Sequence, residues 1–276
     1  MSGSPILTVA AIEWKGNLRN KWTSIFAVVF AVLALTIAYT GVHAEGYSGL
    51  QSFNRTSASL LNLILYLVPL IAIVMGTLSF SSEKALLDLL VSQPVRRSEV
   101  VAGKILGLFC SIVAATIIGF LAAGIVISPM AGTGGLMSYI ALALLTEILA
   151  LIFLNFAAVI SLASDRKLKA FGYALFAWFF FLLFYDLAII GATVMAGEGA
   201  AKHILFLGLF GNPVDIVRVA SLIIQGNVSI FGAAGAMLMR YLGGAAGSSG
   251  LLLGALLVWI IVPFWIALRI IRKQDI

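Results

Sequence analysis

Charge is what this sequence has least of. Asp, Glu, Lys and Arg make up 10% of 276 residues, hydrophobic residues make up 62%, and the mean hydropathy is +1.13. A soluble domain carries about 25% charged residues, so a single water-facing globule is excluded. Disorder is excluded too, because it needs low hydrophobicity. Cysteine is nearly absent: Cys110 has no second thiol to pair with, so no intrachain disulfide forms. With two histidines, His43 and His203, there is no His-Glu-x-x-His zinc motif, and Cys-x-x-Cys and Gly-x-Ser-x-Gly are also missing. Gly103-Lys104 is followed by Ile105 and lacks the earlier glycine of a phosphate-cradling loop. The chain is therefore not expected to be an enzyme or to hydrolyse ATP itself. Glu13, Lys15 and Arg19 precede the first apolar run, and no convincing small-residue cleavage site follows it, so the first span reads as retained.

What is present is a series of long apolar runs. A helix crossing ~30 Å of hydrocarbon needs about 20 apolar residues. Runs of that length occupy 22–42, 60–80, 105–127, 138–163, 170–195 and 251–271. Lipid offers no hydrogen-bond partners, so each must satisfy its own backbone as a helix. The expected fold is an all-α, polytopic membrane protein with six transmembrane helices in a single domain over 1–276.

Positive charge orients it. Lys15, Arg19, Lys21, Lys84, Arg96, Arg97, Lys104, Arg166, Lys167, Lys169, Arg269, Arg272 and Lys273 fall on one side. Arg55, Lys202, Arg218 and Arg240 fall on the other. By the positive-inside rule both termini are cytoplasmic, in a bacterial inner membrane. The net charge of +6 is thereby explained by topology, and no nucleic-acid partner is expected.

Three stretches outside the spans carry patterns. The first, 1–21, interleaves Ile6, Val9, Ala10, Ile12 and Leu18 with charges and leads to Trp22. It reads as an interfacial helix, serving as a lipid anchor alone or also as a surface for a cytoplasmic partner. The second is the cytoplasmic loop within 81–104. Ser81 or Ser82 caps a short helix bearing Leu86, Leu87, Leu89 and Leu90, which Pro94 ends, and a second start at Ser98-Glu99 leads into span three. Docking into a partner's groove and lying on the lipid surface are both open to such a helix. The third, 196–250, contains Asn212-Pro213-Val214-Asp215, a helix start in which Asn caps, Pro takes the first position and Asp meets the positive dipole end. Ile216, Val217, Val219, Leu222, Ile223 and Ile224 oppose polar Asp215, Arg218 and Gln225, which suits a helix lying on the outer membrane surface. Residues 228–242 are expected as an outer helix or re-entrant piece, since a seventh span would place Arg269, Arg272 and Lys273 outside.

The segment Ser82-Glu83-Lys84, Leu89-Leu90-Val91-Ser92-Gln93-Pro94-Val95-Arg96-Arg97-Ser98-Glu99 and Gly103-Lys104 resembles the first cytoplasmic loop of ABC-2-type permeases. Glu13, Arg19 and Lys21 ahead of span one, the six spans and the long outer segment fit that family along nearly the whole chain. Many members carry Gly-Thr where this chain has Ala85-Leu86-Leu87. Within the family, Gly211-Asn212-Pro213-Val214-Asp215-Ile216-Val217-Arg218-Val219 is similar to the permeases of nitrous-oxide reductase maturation. The resemblance implies an exporter-type permease working as a homodimer. Each copy receives a cytoplasmic ABC ATPase, which binds the ATP and Mg, while this chain holds no cofactor. Glu83, Lys84, Leu86, Leu87, Leu89, Leu90, Gln93, Pro94, Arg96 and Arg97 would form the ATPase-coupling element. Asn212, Pro213, Asp215 and Arg218 would meet a periplasmic β-helical protein, with a copper chaperone a further partner in copper-site assembly. The rival reading is a stand-alone secondary carrier or scaffold, which would show matched, broken repeats; no persuasive repeat is seen.

Polar residues inside the bilayer default to functional hypotheses. Glu147, Asn155 and Asp186 are the candidates, either lining a pathway or holding helices together. Glu147 and Asn155 are about 80° apart around a helix and could share a broad face. Thioethers suit soft copper, which makes Met195, His203, Met237 and Met239 candidate metal ligands, although methionine is also ordinary membrane filler. Gly103-x-x-x-Gly107, Gly243-x-x-x-Gly247 and Gly250-x-x-x-Gly254 permit close helix approach, between copies or within one.

Overall fold

A computed structural model describes residues 4–42, 50–82, 96–225 and 244–273, and among these every element is helical. Helix α1 (Pro5–Leu18) starts at Ser4, whose Oγ accepts from the Leu7 amide at 3.4 Å, with Pro5 in the first turn. Helix α2 (Lys21–Val42) follows after two residues, and α3 spans Leu50–Ser82. Helix α4 (Arg97–Ala163) opens with Glu99 reaching back to accept the Arg96 amide at 3.0 Å. Then come α5 (Lys167–Phe179), a π-helical turn (Phe180–Phe184), α6 (Tyr185–Met195), α7 (Gly197–Phe210), α8 (Pro213–Ile224) and α9 (Ala245–Lys273).

Helical backbone runs through all of α4, yet the chain folds back on itself. The Tyr139 hydroxyl donates to the Phe120 carbonyl at 2.8 Å, and Thr116 meets Glu147. A straight helix would hold Thr116 and Glu147 about 46 Å apart. Two spans therefore lie in α4, an ascending arm Arg97–Ile127 and a returning arm Gly135–Ala163. With Lys21–Gly41, Thr56–Ser81, Lys167–Met195 and Gly247–Lys273 they make six helices long and apolar enough to cross a membrane. All six runs read from the sequence reappear, most of them a few residues longer.

The core forms where α2, α3 and α9 pack around α4, with Phe30, Ile64, Leu65, Leu108, Ile112, Leu149 and Phe153 fully buried. Phe156 stacks on Phe181 of the π turn at 5.2 Å, and Phe181 meets Trp259 of α9 edge-on at 5.7 Å. Span five is the exception. Only 6% of its apolar stretch is buried, against 56% for the returning arm of α4.

One expectation is corrected. Helix α8 does not lie on the surface with a wet polar face. It packs against α4 and α9, and nearly all of Pro213–Ile223 is buried. Gln225, expected on the wet side, is buried as well. The reason is the 99° bend between Ala200–Phe210 and Pro213–Ile224, which folds the pair back into the bundle. Residues 228–242 lie outside the described residues.

Candidate functional site

Two clusters of charged and polar side chains are built into the bundle. The outer one starts at the π turn. A π turn leaves one carbonyl out of the ordinary ladder, and the Asn212 Nδ2 group donates to the Phe181 carbonyl at 2.8 Å. The same amide nitrogen lies 3.0 Å from Asp215 Oδ2 and 3.3 Å from Asp186 Oδ1, while Oδ1 of Asn212 caps α8 by accepting the Val214 amide at 3.0 Å. Arg218 donates to Asp215 one turn earlier on its own helix and lies 3.5 Å from Asp186 across on α6. The Tyr185 hydroxyl donates to the Gly208 carbonyl at 2.7 Å, tying α6 to α7. These groups open onto a cavity of about 230 Å³ walled by Ile189, Ile190, Leu205, Leu209 and Val219.

The structure thus joins Asp186, read as an isolated intramembrane carboxylate, to the Asn212–Arg218 segment read as a partner contact. Asn212 and Pro213 are buried, so the exposed part of the segment is Asp215 and Arg218, each partly accessible. The cap of Asn212 was legible from Asn-Pro-Val-Asp. Its second role, on the π turn 31 residues away, had no signal in the sequence.

The inner centre sits where α1, the end of α3 and the start of α4 meet. The Ser79 hydroxyl donates to Glu13 Oε1 at 2.6 Å, and Asn17 Nδ2 donates to the same oxygen at 2.9 Å. The Lys104 ammonium donates to the Ser79 carbonyl at 3.0 Å, lies 4.0 Å from Glu13 Oε2 and sits over the Phe80 ring. Ammonium and carboxylate are 4% and 14% exposed, so the pair is almost withdrawn from water. From the sequence, Glu13 is one of the charges interleaved with the apolar positions of α1. In fact Ala10, Glu13 and Asn17 face the protein, while Leu7, Ile12, Trp14 and Leu18 are exposed. Gly103 and Gly107 explain the close approach, since a Cβ on them would come within 2.6 Å of the Ile6 carbonyl and 2.5 Å of the Ala10 carbonyl. That glycine pair therefore serves packing within one chain. A Cβ on Gly250 or Gly254 would meet no other helix within 4 Å among the described residues.

The remaining intramembrane candidates separate. Glu147 Oε1 accepts from Thr116 at 2.6 Å at the edge of an apolar groove, whereas the Asn155 amide donates to the Ile260 carbonyl of α9 at 3.2 Å. They face different neighbours, because an 80° offset suffices to point one toward the ascending arm and the other toward α9. Trp178 and Trp259 also join helices, donating to the Tyr66 and Phe210 carbonyls. Among the described residues, no group of three His, Cys, Asp or Glu could hold a metal ion. Met195 and His203 are exposed. Met237 and Met239, and the coupling positions Glu83, Lys84, Leu86, Leu87, Leu89, Leu90, Gln93 and Pro94, lie outside the described residues. Arg96 and Arg97 stand at the start of α4.

A family model described as "ABC-2 family transporter protein" matches residues 7–276. The chain belongs to the ABC-2 transporter family. It is a multi-pass membrane permease subunit of an ABC transporter, and its family implies an ATPase partner. Two relatives, each described as "Probable ABC transporter permease protein NosY", are 32% identical to this ABC-2 permease. The one from Pseudomonas aeruginosa aligns over 270 residues, 94% of this chain and 93% of its own. The one from Stutzerimonas stutzeri aligns over 277 residues, 98% of both.

Proposed function

We propose that this ABC-2 permease is a NosY-like subunit that couples a cytoplasmic ATPase to copper-site maturation of nitrous-oxide reductase outside the inner membrane. The observation that carries the reading is full-length similarity to two NosY proteins, with the Asn212–Arg218 segment built into the outer end of the bundle. A stand-alone carrier is displaced by membership in a family whose members work with an ATPase.

Two copies of the chain each receive a NosF-like ATPase, which binds ATP and Mg, on the leucine-bearing segment within 83–97. The almost unburied face of span five is where a second copy has room to pack. Nucleotide-driven closure of the ATPases moves the inner ends of α3 and α4. The movement reaches the outer centre, where Asp215 and Arg218 face a NosD-like β-helical protein and, through it, a copper chaperone. The bundle offers few charged groups along its spans, so it transmits force in preference to forming a wide aqueous pore.

Co-purification tests the ATPase. The wild type is expected to retain it and Leu86→Asp with Leu90→Asp to lose it; retention by the double variant sinks the docking role of this segment. The maturation role is tested in a cell lacking its own permease. This chain is expected to restore the copper absorption bands of the reductase, and intact growth with colourless reductase would contradict it. ATP-driven export of a small solute by this subunit and its ATPase alone would overturn force transmission.

A further inference from the structure

The inner centre has a property that a lipid anchor does not need. The loop proposed to meet the ATPase leaves the membrane at the end of α3 and re-enters at the start of α4. Lys104 of α4 donates to the Ser79 carbonyl of α3, so the two roots of the loop are tied to each other. Glu13 of α1 then accepts from the Ser79 hydroxyl and faces the same ammonium, with Asn17 fixing its rotamer. Helix α1 packs along the ascending arm of α4, backbone against Gly103 and Gly107, and makes little contact with α2, to which it is joined. The link to α2 is two residues long, with Asn20 Oδ1 accepting the Trp22 amide at 3.0 Å.

We infer that Glu13 and Lys104 are positioning residues for ATP coupling, pinning α1 to both roots of the loop so that α1 moves with them and drags the base of span one. The inference rests on the coupling reading above and adds a route to it: loop roots, then Glu13, then α1, then α2. A nearly buried ion pair suits a pin. Attraction between the two charges is screened far less than at a wet surface. Leu7, Ile12 and Leu18, which face away from the protein, leave α1 free to slide along the lipid boundary as it is pulled.

The test uses the complex of this chain with its ATPase, in nanodiscs, in a Cys110→Ser background with spin labels at Leu18→Cys and Leu106→Cys, both partly exposed. Pulsed EPR is read with and without trapped ADP-vanadate. In the otherwise unmodified chain the distance is expected to stay fixed on trapping, because α1 and α4 form one body. In Glu13→Ala it is expected to broaden or shift with nucleotide, and ATP turnover is expected to fall about fivefold or more while the ATPase stays bound. Ser79→Ala is a gentler variant that keeps the ion pair, and an intermediate effect is expected. Glu13→Gln combined with Lys104→Met is expected to cost no more than the worse of the two alone. A distance that changes on trapping without the pin disturbed, additive losses in the double variant, or unchanged distance and turnover in Glu13→Ala each overturn the pin. If no ATPase accompanies the unmodified chain, the coupling reading fails first and takes this inference with it.

Discussion

Asn212 shows how much one residue can hold in an apolar setting. Its side chain caps α8 and donates toward the Phe181 carbonyl and two carboxylates while itself fully buried. Serine in its place keeps the cap and loses the donors, so Asn212→Ser is expected to destabilise by about 2 kcal/mol. Aspartate also keeps the cap but turns an acceptor toward Phe181, Asp186 and Asp215. Asn212→Asp should therefore unfold at a lower temperature than Asn212→Ser, and the reverse order would contradict the donor role. Next to it, Gly211 leaves no room for a methyl group, because a Cβ there would overlap the Tyr185 hydroxyl. Gly211→Ala is expected to cost about 1–3 kcal/mol. Combining it with Tyr185→Phe should cost less than the two changes summed, measured as a double-mutant cycle. The cap was legible in the sequence, since Asn, Pro and Asp act within one turn. The contact with the π turn was not. Periodicity names the faces of a helix but not the helix that each face meets, and no local pattern marked Phe180–Phe184 as a π turn.

At the scale of elements the sequence was most informative where lipid leaves one solution. A long apolar run must be a helix, and all six were found. It was least informative for α1 and α8. On α1 the inward face includes Ala10, Glu13 and Asn17, while Leu7, Ile12, Trp14 and Leu18 point away, an arrangement that apolar periodicity alone does not reveal. On α8 the apolar stripe was read correctly, but the 99° bend that buries it depends on what the neighbouring helices leave open. The close packing of α1 on α4 makes its own prediction. Gly103→Leu and Gly107→Leu place side chains against the Ile6 and Ala10 carbonyls. Amide exchange over Pro5–Leu18 is expected to rise about tenfold or more in either variant, the signature of about 1.4 kcal/mol lost locally. Exchange that stays at the wild-type rate would mean that α1 is held by something other than this contact.

For the molecule as a whole, orientation decides whether any of the inner geometry can meet an ATPase. The rule that sets it counts lysine and arginine near span ends. Here thirteen of 17 fall with the loops that include Lys84, Arg166 and Lys167. The structure adds a reason to expect the bias to hold. Lys104, which is buried, faces the carboxylate of Glu13, whereas Lys15, Arg19, Lys21 and the Arg166–Lys169 group are exposed and free to be retained on the inner face. The opposite ends carry four, of which Arg218 is paired with Asp215 and Asp186 inside the bundle. Single cysteines in a Cys110→Ser background check it directly. In intact spheroplasts an impermeant maleimide is expected to label Lys202→Cys on α7 and to leave Lys167→Cys at the start of α5 unlabelled until the membrane is opened. The two sites bracket span five, so the orientation of that span fixes every other by alternation. Labelling of Lys167→Cys in sealed cells would put the roots at Ser79 and Lys104 on the outside. No cytoplasmic ATPase could then reach them, however well the pin is built.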